Sequence, residues 1–221
     1  MRKIMRSTFG RLFNKNWVLA AILICGASVV FSSCSKDDDD KDDKLTPNTY
    51  EVYFSAVLPE CAAGFYTLNV EYTDGNGNTS TATVKAGDQS DAMPTLMNTL
   101  YENSKKFQIS LLDWNDEKAK LFDNLIVKNF KMTVPAGKSF SYKVTMKGRS
   151  DYVKPSADEF YFVMPFTYSY STRISGNSPD YSYVKESLSL EGMGPFESSQ
   201  AGEFIAMFDG KVIGEESKTM K

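Results

Sequence analysis

The sequence predicts an all-β protein, an antiparallel β-sandwich of the immunoglobulin-like or a related type that carries one short helix. Three observations lead to this class: short segments with apolar and polar residues in alternation, turn residues between them, and a single segment with helical periodicity. An up-and-down barrel is the alternative. The predicted helix, which falls between the third and fourth strands, weighs against the barrel.

The first three strands are predicted at residues 50–58, 66–72 and 79–84. The last two flank the turn Asp-Gly-Asn-Gly-Asn at 74–78 and therefore predict a hairpin. That turn also has the oxygen spacing with which an EF-hand loop begins. Thr79 and Lys85 stand where such a loop needs glycine and glutamate, so we interpret it as a turn without calcium.

The remaining elements follow from the same patterns. A helix is predicted after Ser90 or Asp91, either of which could cap it, with Pro94 in its first turn. Its apolar face would be formed by Met93, Leu96, Met97 and Leu100. Further strands are predicted at 107–112, 125–134, 139–147, 159–171, 181–190, 203–208 and 211–213. Asp209-Gly210 predicts a tight type I′ hairpin turn between the last two.

Charge and composition exclude several classes of function. Five of the 25 basic residues precede residue 34, so the rest of the chain has 20 basic and 28 acidic side chains, a formal charge of −8. This balance argues against a nucleic-acid partner. The chain has no histidine, which excludes Ser-His-Asp and Cys-His catalysis and histidine-ligated zinc. The roughly 175 residues after residue 44 suffice for one domain.

The first 33 residues have the organisation of a secretory signal peptide. A basic start without acids precedes the apolar segment from Trp17 to Phe31, which ends in small residues. That segment is shorter than the roughly 20 residues of a membrane-spanning helix. Phe31-Ser-Ser-Cys34 resembles the lipobox of bacterial lipoproteins. The resemblance implies that the Cys34 thiol carries diacylglycerol and that Cys34 is the mature N-terminus, which leaves Cys61 without a disulfide partner and predicts a small buried or turn residue there.

Residues 34–47 follow as a predicted disordered tether, because the segment is charged and almost without apolar residues. The aspartate run at 37–40 resembles the export signal of surface-exposed lipoproteins of the Bacteroides type. This resemblance implies an outer-membrane lipoprotein displayed on the cell surface, with the membrane as a partner through the lipid anchor. Residues 48–221 are then predicted to form a single sandwich domain.

Two groups of residues are candidate sites. Trp114 stands among Asp113, Asn115, Asp116 and Glu117, so a stacking ring lies beside carboxylates that could hydrolyse a glycosidic bond. A solvated loop with a packed tryptophan is the alternative. The second group is an aromatic stripe on one face of the predicted 159–171 strand: Phe160, Phe162, Met164, Phe166, Tyr168 and Tyr170. The opposite face carries Tyr161 and Val163 and becomes polar at Thr167, Ser169 and Ser171.

The end of that stripe is the candidate ligand-binding surface, because tyrosine combines an apolar ring with a polar tip. The residues assigned to ligand binding are Trp114, Tyr168, Tyr170, Arg173, Tyr181 and Tyr183. Core packing with hydroxyl groups at the rim is the alternative. We therefore expect a non-catalytic surface lipoprotein that binds a glycan, a protein or a partner subunit, without cofactor or metal. A structural or assembly component of the envelope is the second hypothesis, and a carboxylate-dependent hydrolase is the third.

Overall fold

The computed structural model describes residues 49–175, 178–187 and 194–221. The predicted signal peptide, Cys34 and the tether lie outside these ranges. Within them, the strands form two four-stranded antiparallel sheets and one short two-stranded ribbon. The first sheet has the order β4-β1-β7-β8 and the second β10-β5-β2-β3.

The strands are β1 (Thr49–Pro59), β2 (Tyr66–Thr73), β3 (Thr79–Val84), β4 (Leu125–Pro135), β5 (Ser139–Gly148), β6 (Glu159–Phe160), β7 (Phe166–Ser175), β8 (Ser178–Ser187), β9 (Phe196–Glu197) and β10 (Val212–Thr219). The helices are α1 (Glu60–Ala63), α2 (Thr95–Leu112), α3 (Asp116–Ala119) and α4 (Ala201–Phe208). The predicted antiparallel sandwich is confirmed. The described strands do not close into the alternative barrel.

The main core lies between the two sheets and is built by the period-two pattern of the strands. Val52, Phe54 and Ala56 of β1 are completely buried and point to the second sheet. The Phe54 ring is stacked between Phe130 and Tyr142, with centroid distances of 4.7 and 4.4 Å. Fully burying one such ring contributes about 1.5–3 kcal/mol, so these alternating positions hold the sheets together.

A second core lies on the opposite face of the first sheet, beneath helix α2. Met97 and Tyr101 of that helix are buried against Phe166 of β7 and Val57 of β1. The rings of Tyr101 and Phe166 stack at 5.4 Å. The described part of the chain therefore has three layers: the second sheet, the first sheet and helix α2.

Two predicted strands are wrong, because residues 107–112 and 203–208 are helical. The first segment continues helix α2, whose buried stripe Met97, Tyr101 and Gln108 follows helical spacing and leaves Phe107 and Leu111 exposed. Residues 203–208 belong to α4, which buries Phe204, Ile205 and Phe208. The period of a short apolar run does not distinguish a strand from a helix. Both segments are helical because each belongs to a longer helix.

The type I′ turn predicted at Asp209-Gly210 is also wrong. Asp209 has φ −62° and ψ 128°, and Gly210 has φ 81°. These angles define a type II turn, in which only the second central residue needs a positive φ. The Lys211 N–H donates to the Phe208 carbonyl at 3.1 Å and closes the turn. The turn connects a helix to a strand, so the twist of a hairpin imposes no primed type.

The predicted strand 159–171 is interrupted, so its aromatic stripe does not lie on one face. Regular pairing stops after Phe160 and resumes at Phe166, across a segment that contains Pro165, which lacks the N–H of a ladder hydrogen bond. Phe162 belongs to the inter-sheet core, whereas Phe166 and Tyr168 belong to the core beneath α2. The face with Thr167, Ser169 and Ser171, predicted to be polar, is buried between the sheets.

The helix starts after the residues predicted to cap it. Neither Ser90 nor Asp91 caps α2, which begins at Thr95 after Pro94. Both residues instead bind the edge strand β4: the Val127 N–H donates to Ser90 Oγ at 3.0 Å and the Asn129 N–H donates to Asp91 Oδ2 at 2.9 Å. Their polar side chains serve a sheet edge, which no local sequence signal distinguishes from a helix cap.

Candidate functional site

Trp114 lies in the turn between helices α2 and α3. Asp113 ends α2 in the left-handed conformation with φ 52°, and Asn115 Oδ1 accepts the Lys118 N–H at 3.1 Å as the cap of α3. The Trp114 ring packs against Phe122 and Tyr161 at centroid distances of 5.7 and 5.8 Å. This arrangement matches the alternative of a packed tryptophan, while the neighbouring polar residues shape the turn.

The predicted tyrosine surface is divided between two faces of the first sheet. Tyr168 is buried beneath α2, where its hydroxyl donates to Glu186 Oε1 at 3.2 Å. Tyr170 lies on the same face and is partly exposed. Arg173 lies across from Tyr50, whose ring belongs to the inter-sheet core, so Arg173 occupies the opposite face. The side chains of Tyr181 and Tyr183 are outside the described part, and ligand binding by this group stays a prediction.

Tyr170 forms an aromatic pair with Tyr53 of β1, a residue outside the predicted binding surface. The two rings stack at 5.0 Å with an interplanar angle of 14°, and Lys131 Nζ lies 5.5 Å from the centre of the Tyr53 ring. Glu51 forms an ion pair with Lys131 and accepts the Tyr53 hydroxyl. The hydrogen bond from Lys131, together with that from Tyr53, lowers the pKa of Glu51.

This aromatic pair is a weak candidate for a sugar-binding platform. A sugar stacks on an open ring face, but Tyr53 and Tyr170 stack on each other, so one face of each ring is already covered. Lys131 lies against Tyr53 as well. The Tyr53 hydroxyl is also engaged, because it donates to Glu51.

A more open site lies on the outer face of the second sheet, which no described helix covers. There a groove of about 720 Å³ crosses strands β2, β5 and β10. We call it the cross-strand groove. One wall is a charged row, the other is a row of hydroxyl groups, and Lys185 lies at the β10 end. The charged row is Glu71, Lys143 and Glu215, and the hydroxyl row is Thr73, Thr79, Ser141 and Ser217.

Strand alternation explains the shape of the cross-strand groove. Between the two rows lie Tyr72, Tyr142 and Glu216, which pair with one another across the strands. Tyr142 is buried in the inter-sheet core and Tyr72 packs against that core, so their backbone forms the groove floor. Rows two residues apart are separated by about 7 Å along a strand, which gives the groove its width.

The electrostatic character of the groove is mixed. Lys143 lies on β5, between Glu71 on the neighbouring strand β2 and Glu215 on the other neighbouring strand, β10. Lys185 Nζ reaches from β8 to the Glu215 carbonyl at 2.7 Å and to Glu216 Oε2 at 2.9 Å. The Thr73 and Thr79 hydroxyl groups lie 3.0 Å apart in the opposite wall. The walls therefore offer charged and neutral hydrogen-bond donors and acceptors close to one another.

Metal binding has no support among the residues that the structure describes, since they contain no group of three His, Cys, Asp or Glu side chains suited to a metal ion. No helix within the described ranges is both long and apolar enough to cross a bilayer. The Asp74 turn, which resembles the start of a calcium loop, uses its carboxylate internally. Asp74 Oδ1 accepts the N–H groups of Asn76 and Asn78 at 2.8 and 2.9 Å.

The fold and the groove together define a two-sheet sandwich with an open polar groove on its outer face. Comparison with protein-family models, with curated proteins and with solved structures yields no match for this chain.

The groove cannot be predicted from the sequence because its residues come from separate strands. Each residue had a visible signal as a polar member of an alternating strand, such as Lys143 between Tyr142 and Val144. Which polar positions meet depends on the strand order β10-β5-β2-β3. Alternation in one strand carries no information about that order.

Proposed function

We propose that this protein is an exported, lipid-anchored surface protein that binds a glycan in the cross-strand groove without transforming it. The observation that carries the proposal is the pairing of a hydroxyl-bearing wall with a charged wall across an open groove. A polyol both donates and accepts hydrogen bonds, so it can use hydroxyl, carboxylate and ammonium groups at once.

The groove floor favours a glycan over an extended peptide. The backbone at Tyr72, Tyr142 and Glu216 already pairs within the sheet. A peptide strand binds mainly through free backbone groups at a sheet edge, which this floor does not present. Recognition in the groove therefore depends on side chains, as glycan recognition does.

Binding without chemistry is supported by the surroundings of the acids. Asp113, Asp116 and Glu117 are exposed around Trp114, where Asp113 ends a helix and Asp116 and Glu117 lie in the first turn of α3. Hydrolysis of a glycosidic bond requires two carboxyl groups that converge on one bond. The absence of histidine removes the side chain best suited to proton transfer near neutral pH.

The groove proposal is tested by affinity electrophoresis of the full chain in detergent through gels that contain dextran, xylan, mannan or mucin. We expect at least one polysaccharide to retard the protein and Ser141→Ala or Lys143→Met to weaken that retardation about tenfold. Thr145→Ala is the matched control, since Thr145 lies on the same strand and face but outside the groove.

Two results would overturn the groove proposal. One is the absence of retardation by every polysaccharide; the other is equal weakening by Thr145→Ala. Release of new reducing ends from a retarding polysaccharide would instead support the hydrolase hypothesis.

Anchoring and display are tested separately. We expect Cys34→Ala to move the protein from the detergent phase to the aqueous phase, because acyl burial contributes about 0.8 kcal/mol per CH₂. Trypsin added to intact cells should release the domain at the lysines of the predicted tether. Unchanged partitioning would contradict lipidation, and release only after lysis would contradict surface display.

A further inference from the structure

The edges of the two sheets differ in how they are protected. An edge strand presents unpaired N–H and C=O groups, which can pair with a strand of another chain unless something covers or disrupts them. The edge strands are β4 and β8 in the first sheet and β10 and β3 in the second.

The β4 edge is covered at both ends. The Asp91 N–H donates to the Val127 carbonyl at 2.9 Å, and Asn129 Nδ2 donates to the Ala92 carbonyl at 2.8 Å. At the far end, Gly75 lies so close to Val134 and Pro135 that an added Cβ would be 2.8 and 2.7 Å from them. A second strand could therefore not pair with β4 at either end.

The β10 and β8 edges protect each other. Ser187 Oγ and Lys185 Nζ of β8 donate to the β10 carbonyls of Ile213 and Glu215 at 2.6 and 2.7 Å. Both strands also have an irregular register, at Val212/Gly214 in β10 and opposite Ser171/Thr172 in β8. Bulges and charged residues are common means of preventing edge-to-edge association.

Within the described ranges, strand β3 has none of these protections. Its sequence Thr-Ser-Thr-Ala-Thr-Val has no charge, proline or glycine, and its register with β2 is continuous. All of its residues except Ala82 and Val84 are exposed. Among the described residues, the backbone of 79–84 makes its hydrogen bonds with β2 alone.

We propose that β3 is an interface strand that pairs antiparallel with β3 of a second copy, with Thr81 opposite Thr81 about a two-fold axis. Residues directly opposite each other in an antiparallel pair point to the same face of the sheet. In the joined sheet a residue on the outer face must therefore lie opposite another outer-face residue, which restricts the possible registers. The Thr81 register pairs Thr79 with Thr83 and Ser80 with Ala82, all within the strand. The next register would place Lys85 opposite Thr79 and is less suitable.

The chemistry of the edge argues for a second copy as the occupant. An uncharged strand meets an identical strand without repulsion between like charges, and Thr–Thr pairs across antiparallel strands are favourable. Pairing would join two four-stranded sheets into one of eight strands. Dimer formation and ligand binding share only Thr79, the single β3 residue that lines the cross-strand groove.

The first test measures the mass of the full chain in detergent by light scattering across a range of concentrations. We expect a concentration-dependent change from the mass of one chain to twice that mass. Thr81→Lys should raise the dissociation constant at least tenfold by placing two lysines opposite each other. Thr219→Lys is the control, because Thr219 is exposed on the same face at the other edge of the sheet.

The second test uses cysteine cross-linking in a chain with Cys25, Cys34 and Cys61 replaced by serine. Opposite Cβ atoms in an antiparallel pair are about 4.5–5.5 Å apart, close to disulfide range. Thr81→Cys should therefore give a disulfide-linked dimer on oxidation and Thr219→Cys should not. A wild-type monomer at every concentration, or equal cross-linking of both variants, would overturn the proposal.

Discussion

The Ser104 hydroxyl on helix α2 donates a 2.7 Å hydrogen bond to Glu186 Oε1 on strand β8. The same carboxylate oxygen accepts the Tyr168 hydroxyl at 3.2 Å. Glu186 therefore joins the helix layer to the edge of the first sheet. The burial of this carboxyl raises its pKa, although the hydrogen bonds from Ser104 and Tyr168 partly oppose the rise.

Glu186→Gln should stabilise the protein above neutral pH. Because the folded-state pKa of Glu186 is above its unfolded value of 4.5, the folded state binds the proton more tightly. Its contribution is therefore most favourable below the unfolded pKa and is lost as pH rises through the folded pKa. An amide keeps the acceptor for Ser104 without carrying the charge.

Urea unfolding at pH 4 and pH 8 measures this effect. We expect the glutamine variant to have the higher midpoint at pH 8 and the difference to shrink at pH 4. Glu203→Gln, at an exposed helix position, is the control for the change from carboxylate to amide. A wild-type protein more stable than Glu186→Gln at pH 8 would contradict the prediction.

Gly214→Ala should destabilise the sandwich, because the sheets approach closely at this point. A Cβ on Gly214 would lie 2.0 Å from Thr167 Oγ1 and 2.8 Å from Thr167 Cβ. Relieving such a clash requires backbone movement, and overpacking costs about 1–3 kcal/mol. Thermal unfolding should show the loss, whereas Gly64→Ala should be nearly neutral, since no atom lies within 4 Å of its added Cβ. Equal effects would refute this account.

The close approach at Gly214 also shows where prediction from sequence was limited. Alternation in β1 and β5 correctly identified the sandwich, because their apolar positions face the inter-sheet core. Ser169 looked solvent-exposed in the sequence, yet it is buried and accepts a hydrogen bond of 2.9 Å from the Tyr142 hydroxyl. A small polar residue fits between close sheets, but the sheet spacing is not visible in a single strand.

Helix α2 limited the prediction in a different way. Residues 107–112 have the period of a strand, and only the continuity with Thr95 makes them helical. Tyr168 was assigned to a binding surface because its strand neighbours are polar, but α2 covers it. The sequence of a strand does not show which face of its sheet a helix covers. A tyrosine of the binding surface therefore cannot be distinguished from a core tyrosine by sequence alone.

Cys61 should be nearly inert to alkylation in the folded protein. Burial raises the pKa of the Cys61 thiol to about 11, and its Sγ accepts the Val163 N–H at 3.4 Å. At pH 8 the thiolate fraction is then on the order of 10⁻³, against roughly a quarter for an ordinary cysteine.

Iodoacetamide labelling of a chain with Cys25→Ser and Cys34→Ser measures the Cys61 rate alone. We expect labelling at pH 8 at least a hundredfold slower in the folded than in the urea-unfolded protein. The folded-state rate should continue to rise beyond pH 10. Labelling of the folded chain at the unfolded rate would show that the thiol is accessible.

Tyr53 and Tyr170 should contribute to stability as a coupled pair. Their rings stack at 5.0 Å on the outer face of the first sheet, and both are partly buried. Such pairs contribute about 0.5–1.5 kcal/mol beyond the area they bury. In a double-mutant cycle with Tyr53→Ala and Tyr170→Ala, the double variant should therefore lose less stability than the sum of the single variants, by about that amount.

Chemical unfolding gives the four free energies of the cycle. The pair of Tyr53 with Leu111, which lies on helix α2, serves as a control cycle with no expected coupling. A coupling near zero for the tyrosine pair would mean that the rings do not stack in solution, which would leave their faces open and restore the aromatic surface as a candidate for binding a glycan.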